Sequence, residues 1–149
     1  MTTAVPKSVT AYVDASVLLR VVFAEPNALR AWGQIGRPVS SELVRIEALR
    51  TLDRKRLRDR LEDRAVAERR AELLEAIDAF ELVRLDSAIL ERAAEPFPTS
   101  LGTLDALHLA TALAVRDQVD DLVLATHDES LGLAGRAMGF QVEGLAVPG

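Results

Sequence analysis

Apolar residues fall along this chain in two rhythms: short runs of β-formers, and longer stretches in which apolar positions return every three or four residues. Thr10-Ala-Tyr-Val-Asp14 is the first short run and predicts a buried strand. Ala15 to Phe23 is apolar again, with Arg20 inside it, and predicts a helix that Pro26 ends. Asn27 to Gln34 supplies a further helical turn or two, broken by Gly33 and Gly36, and Arg37 to Ser40 predicts a short strand. Ser40 and Ser41 then offer N-caps for a helix carrying Leu43, Val44, Ile46, Glu47, Leu49 and Leu52. The charged run Asp53 to Arg60 has no clear apolar face and reads as an exposed helix end and a turn. Leu61, Ala65, Ala71, Leu74, Ala76 and Ile77 give a second helix its buried stripe, so the two helices are expected to form an antiparallel hairpin.

In the second half, Phe80 to Leu85 alternates apolar and polar residues and predicts a strand. Asp86 or Ser87 caps a helix to Ala94, and Pro96 and Pro98 mark a loop. Leu104 to Val115 is apolar almost all round, so that helix should be central. Asp121 to Thr126 is another buried strand, Asp128 to Met138 a short helix stopped by Gly139, and Phe140 to Glu143 a last strand before a tail. Strands alternating with helices argue for an α/β fold with a mainly parallel sheet. No repeat, low-complexity stretch or linker interrupts the pattern, so one domain over residues 1–149 is expected.

Composition narrows the class. A domain of 149 residues buries roughly 70% of its unfolded surface and needs no covalent staple. The absence of cysteine excludes disulfides and cysteine–zinc sites. The apolar stretch after Pro6 and Lys7 is interrupted by Asp14 and Arg20, unlike a secretory leader, and no run reaches the ~18 apolar residues of a membrane span. A soluble, cytoplasmic protein is the expectation. The net charge of −5 and an aromatic content of only 4% argue against nucleic-acid binding by global attraction or by base stacking. Any handling of RNA would have to rely on local basic patches and on metal ions.

Four acids stand in apolar surroundings. Asp14 and Asp128 follow buried strands, and in open α/β sheets the ligand crevice lies beyond the carboxyl ends of the strands. Glu47 lies between Ile46 and Ala48, and Asp105 between Leu104 and Ala106. Each has an ordinary explanation by itself: Asp14 as a helix cap, Glu47 paired with Arg50, Asp105 favoured by the helix dipole, and Asp128 or Thr126 as a cap, the latter in a capping box with Glu129. Together they share a cause, because clustered carboxylates raise one another's pKa values and a hard divalent cation removes that cost. Mg²⁺ and Mn²⁺ prefer such oxygen ligands and can bridge carboxylate to phosphate.

The wording of these segments resembles the PIN-domain ribonucleases, in particular the VapC-type toxins of type II toxin–antitoxin systems. The matching pieces are Tyr12-Val-Asp14-Ala-Ser16, Ser40-Ser-Glu-Leu-Val-Arg-Ile-Glu47, Thr103-Leu-Asp105-Ala-Leu-His108-Leu-Ala-Thr111, and Ala125-Thr-His-Asp128-Glu-Ser-Leu131, in that order and at matching spacing. The resemblance implies a PIN-like three-layer α/β/α sandwich with a protruding helical hairpin. It implies an endoribonuclease with Mg²⁺ or Mn²⁺ held by Asp14, Glu47, Asp105 and Asp128, a metal-activated water, and products with 5′-phosphate and 3′-hydroxyl ends. It further implies an RNA substrate, a homodimer, and a VapB-type antitoxin whose C-terminal segment covers the site and whose N-terminal part binds operator DNA. Ser16 and Thr126 stand where family members often place a hydroxyl near the metal or scissile phosphate; helix capping is the alternative for both. A catalytically inactive PIN-like RNA- or protein-binding module is the other reading of the same motifs.

Several residues compete for attention. Glu42, in the first turn of its helix, is expected to be exposed and to lose to Glu47 as a ligand. Asp105 and His108 are three apart and could meet, although such a histidine is ordinarily a packed core residue; His127 is expected at the surface. Arg50, Arg54, Lys55, Arg56, Arg58, Arg60, Arg64, Arg69 and Arg70 form the one local excess of positive charge, either paired with Asp53, Asp59, Glu62, Asp63 and Glu68 or available to RNA or a partner. Rival chemistries lack their residues. A haloacid-dehalogenase phosphatase wants a second Asp where Ser16 stands, and both it and a receiver domain need a late lysine. No glycine-rich nucleotide fingerprint is present.

Overall fold

The computed structural model describes residues 8–146. Pro6, Lys7 and the end of the expected tail lie outside them. The elements run β1 (Val9–Val13), α1 (Ala15–Val22), a 3₁₀ turn (Arg30–Gln34), β2 (Ile35–Ser41), α2 (Leu43–Asp59), α3 (Asp63–Asp78), β3 (Glu81–Val83), α4 (Ser87–Ala94), α5 (Thr103–Arg116), β4 (Val123–Ala125), α6 (Glu129–Ala137) and β5 (Gln141–Glu143). The five strands lie in the order β3-β2-β1-β4-β5, and every pairing is parallel.

A parallel sheet is covered on both faces, which is why β1 and β4 are apolar at successive positions rather than alternating. Ala11, Val13, Val123 and Ala125 face one core, with Leu18 of α1, Val44, Ala48 and Leu52 of α2, and Leu73 and Ile77 of α3. Tyr12 and Leu124, one residue out of phase, face the other, with Leu109 and Ala112 of α5 and Leu131 and Ala134 of α6. Two cores on opposite faces of one sheet make the α/β/α sandwich. The α5 helix is central as its composition predicts: Ala106 and every residue from His108 to Ala112 are buried.

Three boundaries differ from the sequence reading. Strand β2 begins at Ile35 rather than Arg37, so Gly36, which looks like a breaker, sits inside the extended segment. It also runs through Ser40 and Ser41, so neither serine is the N-cap of α2. Glu42 takes that place with helical backbone angles, while Ser41 Oγ accepts from Leu43 N at 3.1 Å. Helix α2 continues to Asp59 and stops at Arg60, whose φ of 50° is left-handed; α3 begins after the short link that follows and packs against α2.

Candidate active site

The strand order defines where a ligand can enter. From β1 the chain builds outward through β2 and β3, then returns to place β4 on the other side of β1. The crevice at such a reversal lies beyond the carboxyl ends of the strands, here between Asp14 after β1 and Thr126 to Asp128 after β4. A cleft of about 400 Å³ opens there, and its lining includes Asp14, Glu47, Asp105, His108 and Asp128. The four acids singled out in the sequence thus share one cavity, delivered from β1, α2, α5 and the start of α6. Another cavity, of about 410 Å³ beside α4 and α5, gathers no comparable set of acids. Glu42 stays exposed outside the acidic cleft, with Oε1 accepting from Leu85 N at 3.3 Å.

Asp14 is buried and held on all sides. Its Oδ1 accepts from Ser16 N at 3.0 Å, Ser16 Oγ at 2.5 Å and Val17 N at 3.4 Å, and its Oδ2 accepts from Thr126 Oγ1 at 2.6 Å. It is therefore both the N-cap of α1 and a buried acceptor joining β1 to β4. Burial pushes its carboxyl above the ordinary range, opposed by the hydrogen bonds of Ser16 and Thr126. The two hydroxyls also brace the loop after β4: Ser16 Oγ accepts from His127 N at 3.0 Å, and Thr126 Oγ1 accepts from Asp128 N at 3.0 Å. The cap of α6 is Asp128, whose Oδ1 accepts from Leu131 N at 2.8 Å, rather than a box formed by Thr126 and Glu129.

Glu47 has a partner that its neighbours in sequence do not suggest. His108 Nε2 lies 2.5 Å from Glu47 Oε1, and His108 Nδ1 lies 2.6 Å from Tyr12 Oη. With Glu47 accepting at Oε1, Nε2 carries a proton; a neutral ring accepts the Tyr12 O–H at Nδ1, and a charged ring donates there to Tyr12 Oη. Burial opposes a charge on His108, yet the bond to Glu47 and the nearby Asp14 and Asp105 carry its pKa above the ordinary value. Burial drives the Tyr12 hydroxyl upward, so it stays protonated. The alternative Glu47–Arg50 pair does not form; Arg50 reaches Asp53 at 3.7 Å instead.

Asp105 is the least supported of the four. Partial burial, then the charges of Asp128 and Asp14, push its pKa up to about 6, with His108 acting the other way. The acids are close enough to oppose one another's ionisation, and the donor set is all oxygen, which fits a hard divalent cation. Among the described residues, no group of three or more such side chains is arranged to hold one ion. Asp14 is turned to its hydroxyls and Glu47 to His108, so the fit rests on donor chemistry and charge.

Sequence reasoning missed part of what supports this cleft. Tyr12 precedes Asp14 by two residues, the strand spacing that puts both on one side, but Glu47 as the partner of His108 has no local signal. His127 is half-buried rather than at the surface, its Nδ1 bonded to Gly144 O at 2.7 Å. Gly144 follows β5 with φ of 106°, and a Cβ there would lie 2.5 Å from Thr126 O, so only glycine lets this turn back the acidic loop.

Fold and cleft together define an α/β domain that offers clustered carboxylates at the switch point of a parallel sheet. The chain belongs to the PIN-domain family, whose model matches residues 11–135. It is 36% identical over 134 residues to Ribonuclease VapC46 of Mycobacterium tuberculosis, covering 88% of this chain and 94% of that protein. It is 29% identical over 136 residues to Ribonuclease VapC47 of the same species, covering 87% and 92%. Among solved structures, PAE2754 from Pyrobaculum aerophilum has the same fold at a TM-score of 0.59 and 19% identity, covering 95% of this chain and 91% of that one. A toxin–antitoxin complex from Klebsiella pneumoniae matches at 0.60 and 18% identity, covering 81% and 89%.

Proposed function

We propose that this chain is a divalent-metal-dependent endoribonuclease, the toxin of a VapBC-type toxin–antitoxin pair. The observation that carries the reading is the convergence of Asp14, Glu47, Asp105 and Asp128, remote in sequence, on one cleft at the sheet's switch point. The VapC ribonucleases that the chain resembles along most of its length support the substrate class.

Asp14, Glu47, Asp105 and Asp128 would hold Mg²⁺ or Mn²⁺, which when bound neutralises charge on the scissile phosphate and makes a water nucleophilic. The remaining chemistry belongs to the chain. Ser16 and Thr126 hold Asp14 through both carboxylate oxygens, which fixes its place at the floor of the cleft. Tyr12 and His108 fix Glu47 through Oε1, and Oε2 accepts no hydrogen bond among the described residues. Products carry 5′-phosphate and 3′-hydroxyl ends. The pair's other member is a VapB-type antitoxin, in keeping with the Klebsiella complex of the same fold, and the toxin is a homodimer.

The test incubates the purified protein with a pool of RNAs, with Mg²⁺ or Mn²⁺ and with chelator, alongside Asp14→Asn and Asp105→Asn. Metal-dependent cleavage lost in both variants is expected. Cleavage that persists in chelator or in both variants contradicts the mechanism. An absence of both cleavage and Mn²⁺ binding leaves an inactive PIN-like module.

A further inference from the structure

Nine basic residues crowd the hairpin from Arg50 to Arg70, and the structure sorts them. Five are held within 3.1 Å of a carboxylate: Lys55 by Glu25 at 3.1 Å, Arg56 by Asp53 at 3.0 Å, Arg58 by Asp59 at 3.0 Å, Arg64 by Glu68 at 3.1 Å and Arg69 by Glu72 at 3.0 Å. Arg60 and Arg70 do not line the acidic cleft; Arg50 and Arg54 do, with Thr51 between them. They follow Glu47 by three and seven residues, which puts all three on one face of α2, the arginines one and two turns beyond the acid.

Neither arginine is firmly committed. Arg54 Nη2 donates to Thr51 Oγ1 at 3.0 Å and makes no ion pair among the described residues. Arg50 is 3.7 Å from Asp53, a carboxylate that Arg56 holds more closely, and its side chain is 65% exposed. Four carboxylates in a chain of net charge −5 repel a polyanion, and a cation at the acids answers only the phosphate beside it. The next phosphates need their own counter-charge, and guanidinium forks match phosphate oxygens in geometry.

We propose that Arg50 and Arg54 bind the phosphates of single-stranded RNA next to the one that is cleaved, forming a track along α2 that leads into the carboxylates. The proposal rests on the nuclease reading and adds to it the direction from which the strand enters and the residues that grip it.

The test compares Arg50→Gln/Arg54→Gln with Arg64→Gln/Arg69→Gln on α3. Anisotropy of a short labelled single-stranded RNA is read in an Asp105→Asn background, and steady-state cleavage is read with Mn²⁺ and all four acids intact. The α2 pair should raise Kd and KM at least roughly tenfold while kcat stays within about twofold. It should lower the slope of log Kd against log salt by about 1.4, about 0.7 for each lost contact. The α3 pair should change none of these. An α2 pair that binds and cleaves RNA like the parent overturns the proposal and leaves the nuclease reading intact. So does unchanged RNA affinity with a lost affinity for poly-glutamate, which would assign the arginines to an acidic protein partner. If the parent cleaves no RNA the nuclease reading fails, and anisotropy still decides for or against the arginines as an RNA site.

Discussion

Asp14 and Asp105 face the same cleft and are held in opposite ways. Asp14 is buried, caps α1, and accepts four hydrogen bonds from Ser16, Val17 and Thr126. Asp105 projects from the first turn of α5, half-buried, with Asp128, Asp14 and Glu47 all opposing its charge. One carboxylate is fixed by the fold. The other is tolerated by it, and its charge is in balance only when something positive enters the cleft. A functional carboxylate can thus be a structural member or a source of strain, and substitution tells the two apart.

The largest effect is expected on activity, where the two should behave alike. Asp14→Asn and Asp105→Asn should each reduce RNA cleavage by more than the roughly 10–100-fold that loss of a ligand's supporting contacts costs. Stability should separate them. Asp14→Ala leaves the Ser16 and Thr126 hydroxyls without their acceptor and α1 without its cap, a loss of about 1–3 kcal/mol in denaturant unfolding. Asp105→Asn removes a repelled charge and should stabilise the metal-free protein by roughly 1 kcal/mol near neutral pH, after discounting for its partial exposure.

The pH dependence of that gain sharpens the comparison. A carboxyl held at about 6 in the fold against 3.8 in the unfolded chain binds its proton more tightly when folded. Its stabilisation is therefore present below about pH 4 and is lost as pH rises through about 6, the reverse of a salt-bridged carboxylate. In chelator, the parent and Asp105→Asn should have similar unfolding free energies near pH 4 and diverge in favour of the variant by about pH 7. Equal stability across this range would show that the neighbouring acids do not burden Asp105. The smallest effect is expected from Tyr12→Phe, which deletes the contact to His108 Nδ1: about 0.5–1.5 kcal/mol of stability, with a several-fold weaker Mn²⁺ affinity if the chain from Tyr12 through His108 sets Glu47.

The comparison also explains what could be read in the sequence. The strand β1 and the helix α5 were legible because a covered parallel sheet and a central helix demand near-continuous apolar runs, and acids beside such runs stand out. The start of β2 was not, because Gly36 breaks most regular structure, yet here it lies within a strand whose other end is buried at Val39 to Ser41. The charged end of α2 lacks an apolar face, and its helical state is supported by pairs such as Asp53 with Arg56. Within the cleft, Asp14 and Asp128 could be placed from the strand-end rule. The tie between Glu47 and His108 could not, since it joins residues 61 apart through tertiary packing. The burial of His127 depends on the turn at Gly144, which no local pattern announces.

Calorimetric titration of Mn²⁺ into the purified protein bears most directly on the shared cation. Saturable binding to the parent, greatly weakened in Asp14→Asn and in Asp105→Asn and accompanied by a rise in Tm of the parent alone, is the expected result. Binding of equal strength in the parent and both variants, or none in the parent, would contradict a cation held jointly by these carboxylates.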